Sequence, residues 1–194
     1  MIVGDGVLGQ MMEPVEFHSG EKFDLPEKDW ALAGCRGRSP NKIRSLILGE
    51  NELLEHNLKL QQKLTTIARD EVRYEAVDVD QAEVLVVAYG TPSRTSRAVL
   101  KKYREEGYRI GLFRPITLWP FPHAALEEAA KNARVVLVVE MSLGQLIDDV
   151  RITLGKDARI KLLGKPGGVV ILASEVAAEL DEIIKENELK KHRK

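Results

Sequence analysis

Short apolar runs alternate with amphipathic stretches through the second half of the chain. Four of these runs are rich in valine, leucine and isoleucine, and each is bounded by glycine or charged residues. We predict strands at Val84–Tyr89, Tyr108–Phe113, Arg134–Val139 and Arg159–Leu163. Runs of this length and composition are typical of strands that are buried on both faces of a parallel sheet.

Stretches with helical periodicity separate the predicted strands. The predicted helices run from Ser93 or Thr95 to Glu106, over His123–Asn132, over Gln145–Leu154, and from Ser174 onward. Side-chain capping at Ser93 or Thr95 and glycine at 107 and 155 favour these limits. The order β-α-β-α-β-α-β predicts an α/β fold, a small parallel sheet with crossover helices, over residues 82–186. Residues 187–194 are predicted to form a polar tail.

The region before this domain has a different pattern. Residues 17–81 are predicted to be a linker that contains one long helix, Glu50–Tyr74. Leu53, Leu60, Leu64 and Ile67 form one apolar stripe of this helix, and Leu54, Leu58, Ala68 and Val72 form another. A helix of about 24 residues is about 36 Å long, which favours packing across a domain or subunit boundary.

The first residues, MIVGDGVLGQMMEP, contain two phrases that occur in cofactor sites. Gly4, Gly6 and Gly9 fit the G-x-G-x-x-G of dinucleotide-binding domains, and Gly4-Asp5-Gly6 begins the magnesium-diphosphate motif of thiamine enzymes. The first motif requires a full strand before it, whereas only Met1–Val3 precede Gly4. The second requires an asparagine about 25 residues on, where the chain has Ala31–Gly34. We therefore interpret residues 1–16 as the last β-α step of another α/β domain, with Met11 and Met12 packing into that domain's sheet.

Composition narrows the functional classes. The net charge is −1, which gives no support for binding to nucleic acid or to an acidic membrane. Charged residues make up 30% of the chain, which fits a thermophile. Cys35 is the one cysteine, and His18, His56, His123 and His192 are scattered, so no metal site, iron–sulfur cluster or catalytic residue is predicted. The pattern is that of a cytoplasmic protein.

Several stretches together resemble a known family. They are GDGVLGQMMEP at residues 4–14, KDWALAG at 28–34, GLFRPITLWPFP at 111–122 and EMSLGQ at 140–145. In this order they resemble the α subunit of 2-oxoacid:ferredoxin oxidoreductases, most of all the 2-oxoglutarate type. The resemblance covers the C-terminal half of that subunit, with residues 1–16 as the end of its pyrimidine-binding domain and residues 82–186 as its transketolase C-terminal-like domain.

The resemblance implies a division of labour among subunits. In this family a 2-oxoacid is oxidatively decarboxylated to acyl-CoA on thiamine diphosphate, and electrons pass through iron–sulfur clusters to ferredoxin. Thiamine diphosphate with Mg²⁺ and the clusters would be held by partner subunits, and this chain alone would bind no cofactor. The implied partners are the thiamine-binding β subunit, a cluster-bearing subunit, ferredoxin and the missing N-terminal half of α; a homodimer is also possible. The chain would serve assembly and docking.

Two loops carry the candidate contact residues. Arg114, Thr117 and Trp119 follow the second predicted strand, in a proline-rich segment that favours a rigid extended form. Arg114 is either available for a carboxylate or phosphate or satisfied by nearby carbonyls.

Glu140, Ser142 and Gln145 follow the third strand, where Ser142 is a candidate helix cap. Because carboxyl ends of parallel strands meet at one edge, both loops are predicted at a single interface or ligand edge.

Two basic loops have alternative interpretations. Cys35–Arg38 is either a phosphate contact or a solvated turn, and Lys165–Gly168 is either a phosphate cradle or a tight turn. At the level of the whole chain, the alternatives to an oxidoreductase component are a free-standing interaction module without catalysis and an independent nucleotide binder.

Overall fold

The computed structural model describes residues 1–16 and 24–192. His18, and the last two residues of the predicted tail, lie outside the described residues. The chain divides into two compact units. One unit contains residues 1–11 and 66–194, and we call it the sheet domain; the other contains residues 12–65.

A five-stranded sheet forms the centre of the sheet domain. Its strands are β1 (Tyr74–Val77), β2 (Val84–Ala88), β3 (Ile110–Pro115), β4 (Val135–Glu140) and β5 (Ile160–Gly164), in the spatial order β1-β3-β2-β4-β5. Strands β2 to β5 pair in parallel, as the apolar runs predicted.

Strand β1 was not predicted, and it makes the sheet mixed. It pairs antiparallel with β3, from Tyr74 opposite Pro115 to Val77 opposite Leu112. The long helix, expected to continue to Tyr74, ends at Asp70. Tyr74 instead stacks on Phe113, with ring centroids 5.4 Å apart. Pairing with the open edge of β3 satisfies backbone groups that an edge strand leaves free, and it places the start of the sheet before residue 82.

Helices cover both faces of the sheet. The helices are α1 (Glu50–Asp70), α2 (Gly90–Glu105), α3 (His123–Ala130), α4 (Gln145–Leu154) and α5 (Ala173–Glu186). Apolar residues of α2 and α5 pack against one face, and those of α3 and α4 pack against the other. Because successive residues of a strand point to opposite faces, the fully buried valine and leucine runs of β2 and β4 supply both cores.

Helix α2 begins earlier than its capping residues predicted. It starts at Gly90, directly after β2, so neither Ser93 nor Thr95 is the N-cap. Ser93 is buried in the first turn and donates a hydrogen bond to the carbonyl of Gly90 at 2.7 Å. Pro92 lies in the first turn, where a missing N–H costs nothing. Gly90 has φ of +57°, a conformation that favours glycine.

The predicted polar tail packs on the sheet domain as far as it is described. The backbone N–H of His192 donates to the carbonyl of Gly107 at 2.8 Å, and its ring lies 2.8 Å from the carboxylate of Glu83. An added Cβ at Gly107 would lie 2.8 Å from the carbonyl oxygen of His192. Leu189 packs against the core formed by α2 and α5.

Residues 12–65 form no core among their described residues. Every described side chain from 24 to 65 is exposed except three that are half-buried, Ala31, Asn41 and Ile47.

In the sheet domain, Met1–Val3 form no strand, and a single 3-10 turn follows at Leu8–Gln10. Met11 and Met12 are both exposed.

Candidate functional site

The carboxyl ends of β2 and β4 form the natural ligand crevice of this sheet. The chain passes from β2 to β3 on one side, and then crosses through α3 to β4 on the other side of β2. In open α/β sheets, ligands bind where the strand order reverses in this way, outside the carboxyl ends. The candidate residues lie in the loops around this edge, after β3 and after β4.

Glu140 ends β4 and is completely buried. Its Oε2 accepts hydrogen bonds from the backbone N–H of Leu146 at 2.6 Å and from the hydroxyl of Ser142 at 2.9 Å. Leu146 lies in the first turn of α4, so Glu140 caps this helix. Ser142 was the predicted cap, but its hydroxyl donates to Glu140 instead. The carboxylate of Glu140 occupies the positive end of the helix.

The loop around this cap is tightly built. The side chain of Gln145 accepts a hydrogen bond from the N–H of Leu143 at 3.1 Å. The N–H of Lys165, after β5, donates to the carbonyl of Glu140 at 3.1 Å. An added Cβ at Gly164 would lie 2.8 Å from the carbonyl of Ser142. Glu140 and Ser142 thus share a hydrogen bond, and Gln145 bonds to the backbone of the same loop.

Tyr89, at the end of β2, lies beside this group. Burial raises the pKa of its phenol, the negative charge of Glu140 raises it further, and a hydrogen bond with Ser142 acts in the opposite direction. Tyr89 therefore connects the ends of β2 and β4, and it stays neutral well above neutral pH.

Asp5 lies at the start of α2. Its Oδ1 accepts a hydrogen bond from the N–H of Leu8 at 2.8 Å, and its Oδ2 lies 3.8 Å from the position of an added Cβ at Gly90. The N–H of Leu8, followed by the backbone and hydroxyl of Thr91, lowers the pKa of this carboxyl, whereas desolvation opposes the shift. The carboxylate of the middle residue of the Gly-Asp-Gly phrase thus lies beside the start of a helix 85 residues away.

A third carboxylate lies at the start of α5. Glu175 accepts a hydrogen bond from the N–H of Leu172 at 2.9 Å and pairs with Lys165 at 2.5 Å, and these contacts lower the pKa of its carboxyl. The N-terminal ends of α2, α4 and α5 are therefore each met by a carboxylate of this chain. Helix N-termini attract anions, and here internal anions already occupy them.

The residues after β3 form a separate group. Arg114 pairs with Glu75 of β1 at 3.4 Å, and Glu75 also pairs with Arg97 at 2.5 Å. The hydrogen bond of Arg97, its charge and that of Arg114 lower the pKa of Glu75. Arg114 is thus engaged by a carboxylate of the same domain, which was neither of the two predicted interpretations.

Thr117 joins the same group by fixing the start of β1. Its hydroxyl accepts a hydrogen bond from the N–H of Arg73 at 3.0 Å and lies 3.3 Å from the carbonyl of that residue. Because β3 and β4 flank β2 on opposite sides, the group of Arg114 and Thr117 is two strands from the group of Glu140.

Apolar side chains are exposed in the loops along this edge. Trp119 is 59% exposed, whereas Phe121 nearby is buried and anchors the loop. The exposed apolar residues that follow β3, β4 and β5 are Ile116, Leu118, Trp119, Leu143, Val169 and Leu172. We call these six residues the apolar edge.

The two basic loops are turns. The guanidinium of Arg38 donates to the carbonyls of Gly34 and Ser39, within its own turn. Gly167 and Gly168 both have φ near +75°, as a tight turn after β5 requires, and Lys165 is paired with Glu175. These contacts favour the structural interpretation of both segments.

The described residues offer no cluster of side chains for the magnesium ion or the iron–sulfur clusters that the resemblance implies. No group of three or more histidine, cysteine, aspartate or glutamate side chains in residues 1–16 and 24–192 could hold a metal ion. Asp5 is engaged at α2, and Cys35 is a single exposed thiol. Among these residues, no helix is both long and apolar enough to cross a membrane.

Sequence reasoning missed Asp5, Glu75 and Tyr89 as members of these groups. Tyr89 carried a usable signal, because it directly follows a buried strand. Glu75 had none, since it was assigned to the linker, and of its strand only Tyr74 was assigned to the long helix. Asp5 drew attention as part of a cofactor phrase, and its contact with α2 depends on the fold.

Residues 82–176 match the model of pyruvate:ferredoxin oxidoreductase core domain II. The ketoisovalerate oxidoreductase subunit VorB of Methanothermobacter thermautotrophicus is 39% identical over 184 residues, which are 94% of this chain and 52% of that protein. The 2-oxoglutarate synthase subunit KorA of Methanothermobacter marburgensis is 40% identical over 97 residues, 50% of this chain and 26% of that protein. The chain is homologous to subunits of 2-oxoacid:ferredoxin oxidoreductases.

This chain spans about half the length of the VorB proteins that it matches. A solved structure shows the same fold: 2-oxoglutarate:ferredoxin oxidoreductase from Magnetococcus marinus with 2-oxoglutarate, coenzyme A and succinyl-CoA bound. The TM-score is 0.59 and the identity 20%, over 72% of this chain and 24% of that chain. The α/β fold with a parallel sheet and crossover helices, as predicted from the sequence, is thereby confirmed for β2–β5; the antiparallel strand β1 was not part of the prediction.

Proposed function

We propose that this chain is a docking part of the α subunit of a thiamine-diphosphate-dependent 2-oxoacid:ferredoxin oxidoreductase, and that the apolar edge contacts a partner subunit. The enzyme would convert a 2-oxoacid and coenzyme A to acyl-CoA and reduce ferredoxin. The observation that carries the proposal is the apolar edge at the carboxyl ends of the strands. The helix N-termini beside this edge are already met by the carboxylates of Asp5, Glu140 and Glu175.

This combination favours a protein partner over a small anionic ligand. A phosphate or carboxylate at α2, α4 or α5 would have to displace an internal carboxylate, or be repelled by it. Exposed clusters of large apolar side chains instead mark protein contacts, and aromatic residues such as Trp119 are enriched at interface centres. An independent nucleotide-binding role is disfavoured on the same grounds.

In this proposal the partner subunits hold the cofactors and catalyse the reaction. Thiamine diphosphate with its magnesium ion, and the iron–sulfur clusters, would be held by other subunits. This is supported by the described residues, among which no side-chain group could hold a metal ion and the cysteine is a single exposed thiol. The chain's own contribution is a rigid, capped sheet edge that presents Trp119 and Leu143 to the partner.

Two 2-oxoacids are candidate substrates of the proposed enzyme. The sequence motifs suggested 2-oxoglutarate, and KorA relatives carry that name. The VorB relatives, which match almost the whole chain, are named for ketoisovalerate. A branched 2-oxoacid is therefore a second candidate, and comparison of the two substrates in the purified complex would distinguish them.

The experiment is affinity purification of the tagged chain from its own organism, with identification of bound chains by mass spectrometry. We expect a chain that carries the thiamine magnesium-diphosphate motif. Leu143→Asp and Trp119→Asp should each reduce its recovery at least about tenfold, since a buried charge at an interface is costly. The matched control is Ile152→Asp, because Ile152 is 74% exposed, Leu143 is 73% exposed, and Ile152 lies away from the apolar edge on the last turn of α4.

Recovery of no such chain would contradict the oxidoreductase role and favour the alternative, a free-standing interaction module without catalysis. Equal loss of the partner in the Ile152→Asp and Leu143→Asp variants would show that the apolar edge is not the contact. Full recovery in all three variants would also exclude this edge.

A further inference from the structure

We draw no further inference here: the strongest candidate, the exposed apolar seam that Leu53, Leu60 and Leu64 form along helix α1, carries none because nothing in the structure shows what covers it.

Discussion

Single carboxylates organise the loops at the carboxyl edge of the sheet. Glu140 is buried, and its Oε2 accepts two hydrogen bonds, from the backbone of Leu146 and from the hydroxyl of Ser142. A buried donor that loses its acceptor costs about 1–3 kcal/mol, so this side chain organises the loop that presents Leu143.

Glu140→Ala should therefore lower the free energy of unfolding by about 2–4 kcal/mol, since it leaves two donors without a partner and opens a cavity. Glu140→Gln keeps the volume and one acceptor oxygen, and should cost about half as much. Urea denaturation followed by circular dichroism measures both, with the exposed Glu127→Ala as control. Equal stability of Glu140→Ala and the unmodified chain would contradict the capping role.

Asp5 gives a prediction for pH dependence. The pKa of its carboxyl is lowered by the N–H of Leu8 and by Thr91 at the start of α2. A carboxyl with a depressed pKa stabilises the fold above its unfolded pKa, which is about 3.9, and this contribution is lost as the pH falls through the folded value.

The Asp5→Asn variant should consequently be less stable than the unmodified chain at pH 6, and the difference should shrink as the pH falls below about 4. Thermal unfolding across pH 2.5–7 measures this difference, with Asp24→Asn, an exposed carboxyl, as control. A difference that is constant over the whole pH range would show that the charge at position 5 does not stabilise α2.

At the scale of secondary-structure elements, β1 depends on a few contacts made far along the chain. Tyr74 stacks on Phe113, Glu75 pairs with Arg97 and Arg114, and Arg73 bonds to Thr117. An antiparallel edge strand of four residues has one neighbour and few buried groups. Such an element opens at a lower free energy than the central strands.

Thr117→Val should speed amide hydrogen exchange of Tyr74–Val77 by about three- to tenfold, because it removes a hydrogen bond worth about 1 kcal/mol. Exchange of the β2 and β4 amides should be unchanged. Thr117→Ser, which keeps the hydroxyl, is the matched control. Equal acceleration in all strands would show that β1 does not open separately.

At the scale of the whole molecule, apolar burial is concentrated in the sheet domain. The buried apolar residues lie between Ala82 and Ile183, whereas the described part of residues 12–65 has none. Segments without buried apolar contacts unfold locally and are cleaved readily by proteases. The apolar cores on both faces of the sheet protect the backbone of the sheet domain from cleavage.

Brief trypsin treatment should therefore cut first at Arg36, Arg38, Lys42 or Arg44, and leave the sheet domain intact. Intact mass spectrometry identifies the fragments, and thermal unfolding of the product should match that of the full chain within a few degrees. Early cleavage at Arg109 or Lys161, in the sheet domain, would contradict this division of stability.

The sequence by itself determined β2–β5, α3 and α4 closely, because their signals are local. Valine-rich runs such as Val84–Ala88 cannot be solvated along either face, and Gly107 and Gly155 end helices where a positive φ is needed. The position of Glu140, Ser142 and Gln145 at one edge also followed from the sequence, since consecutive parallel strands end on the same side.

The tertiary structure decided what these residues do. The assignment of Tyr74–Val77 to a strand depended on the open edge of β3, which no local periodicity encodes. The approach of Asp5 to Gly90 at the start of α2 and the pairing of Arg114 with Glu75 join residues 85 and 39 positions apart. Local pattern fixes which segments bury an apolar face, but partners for polar groups are chosen only when distant segments meet, because the free energy of such a contact depends on its distance and burial.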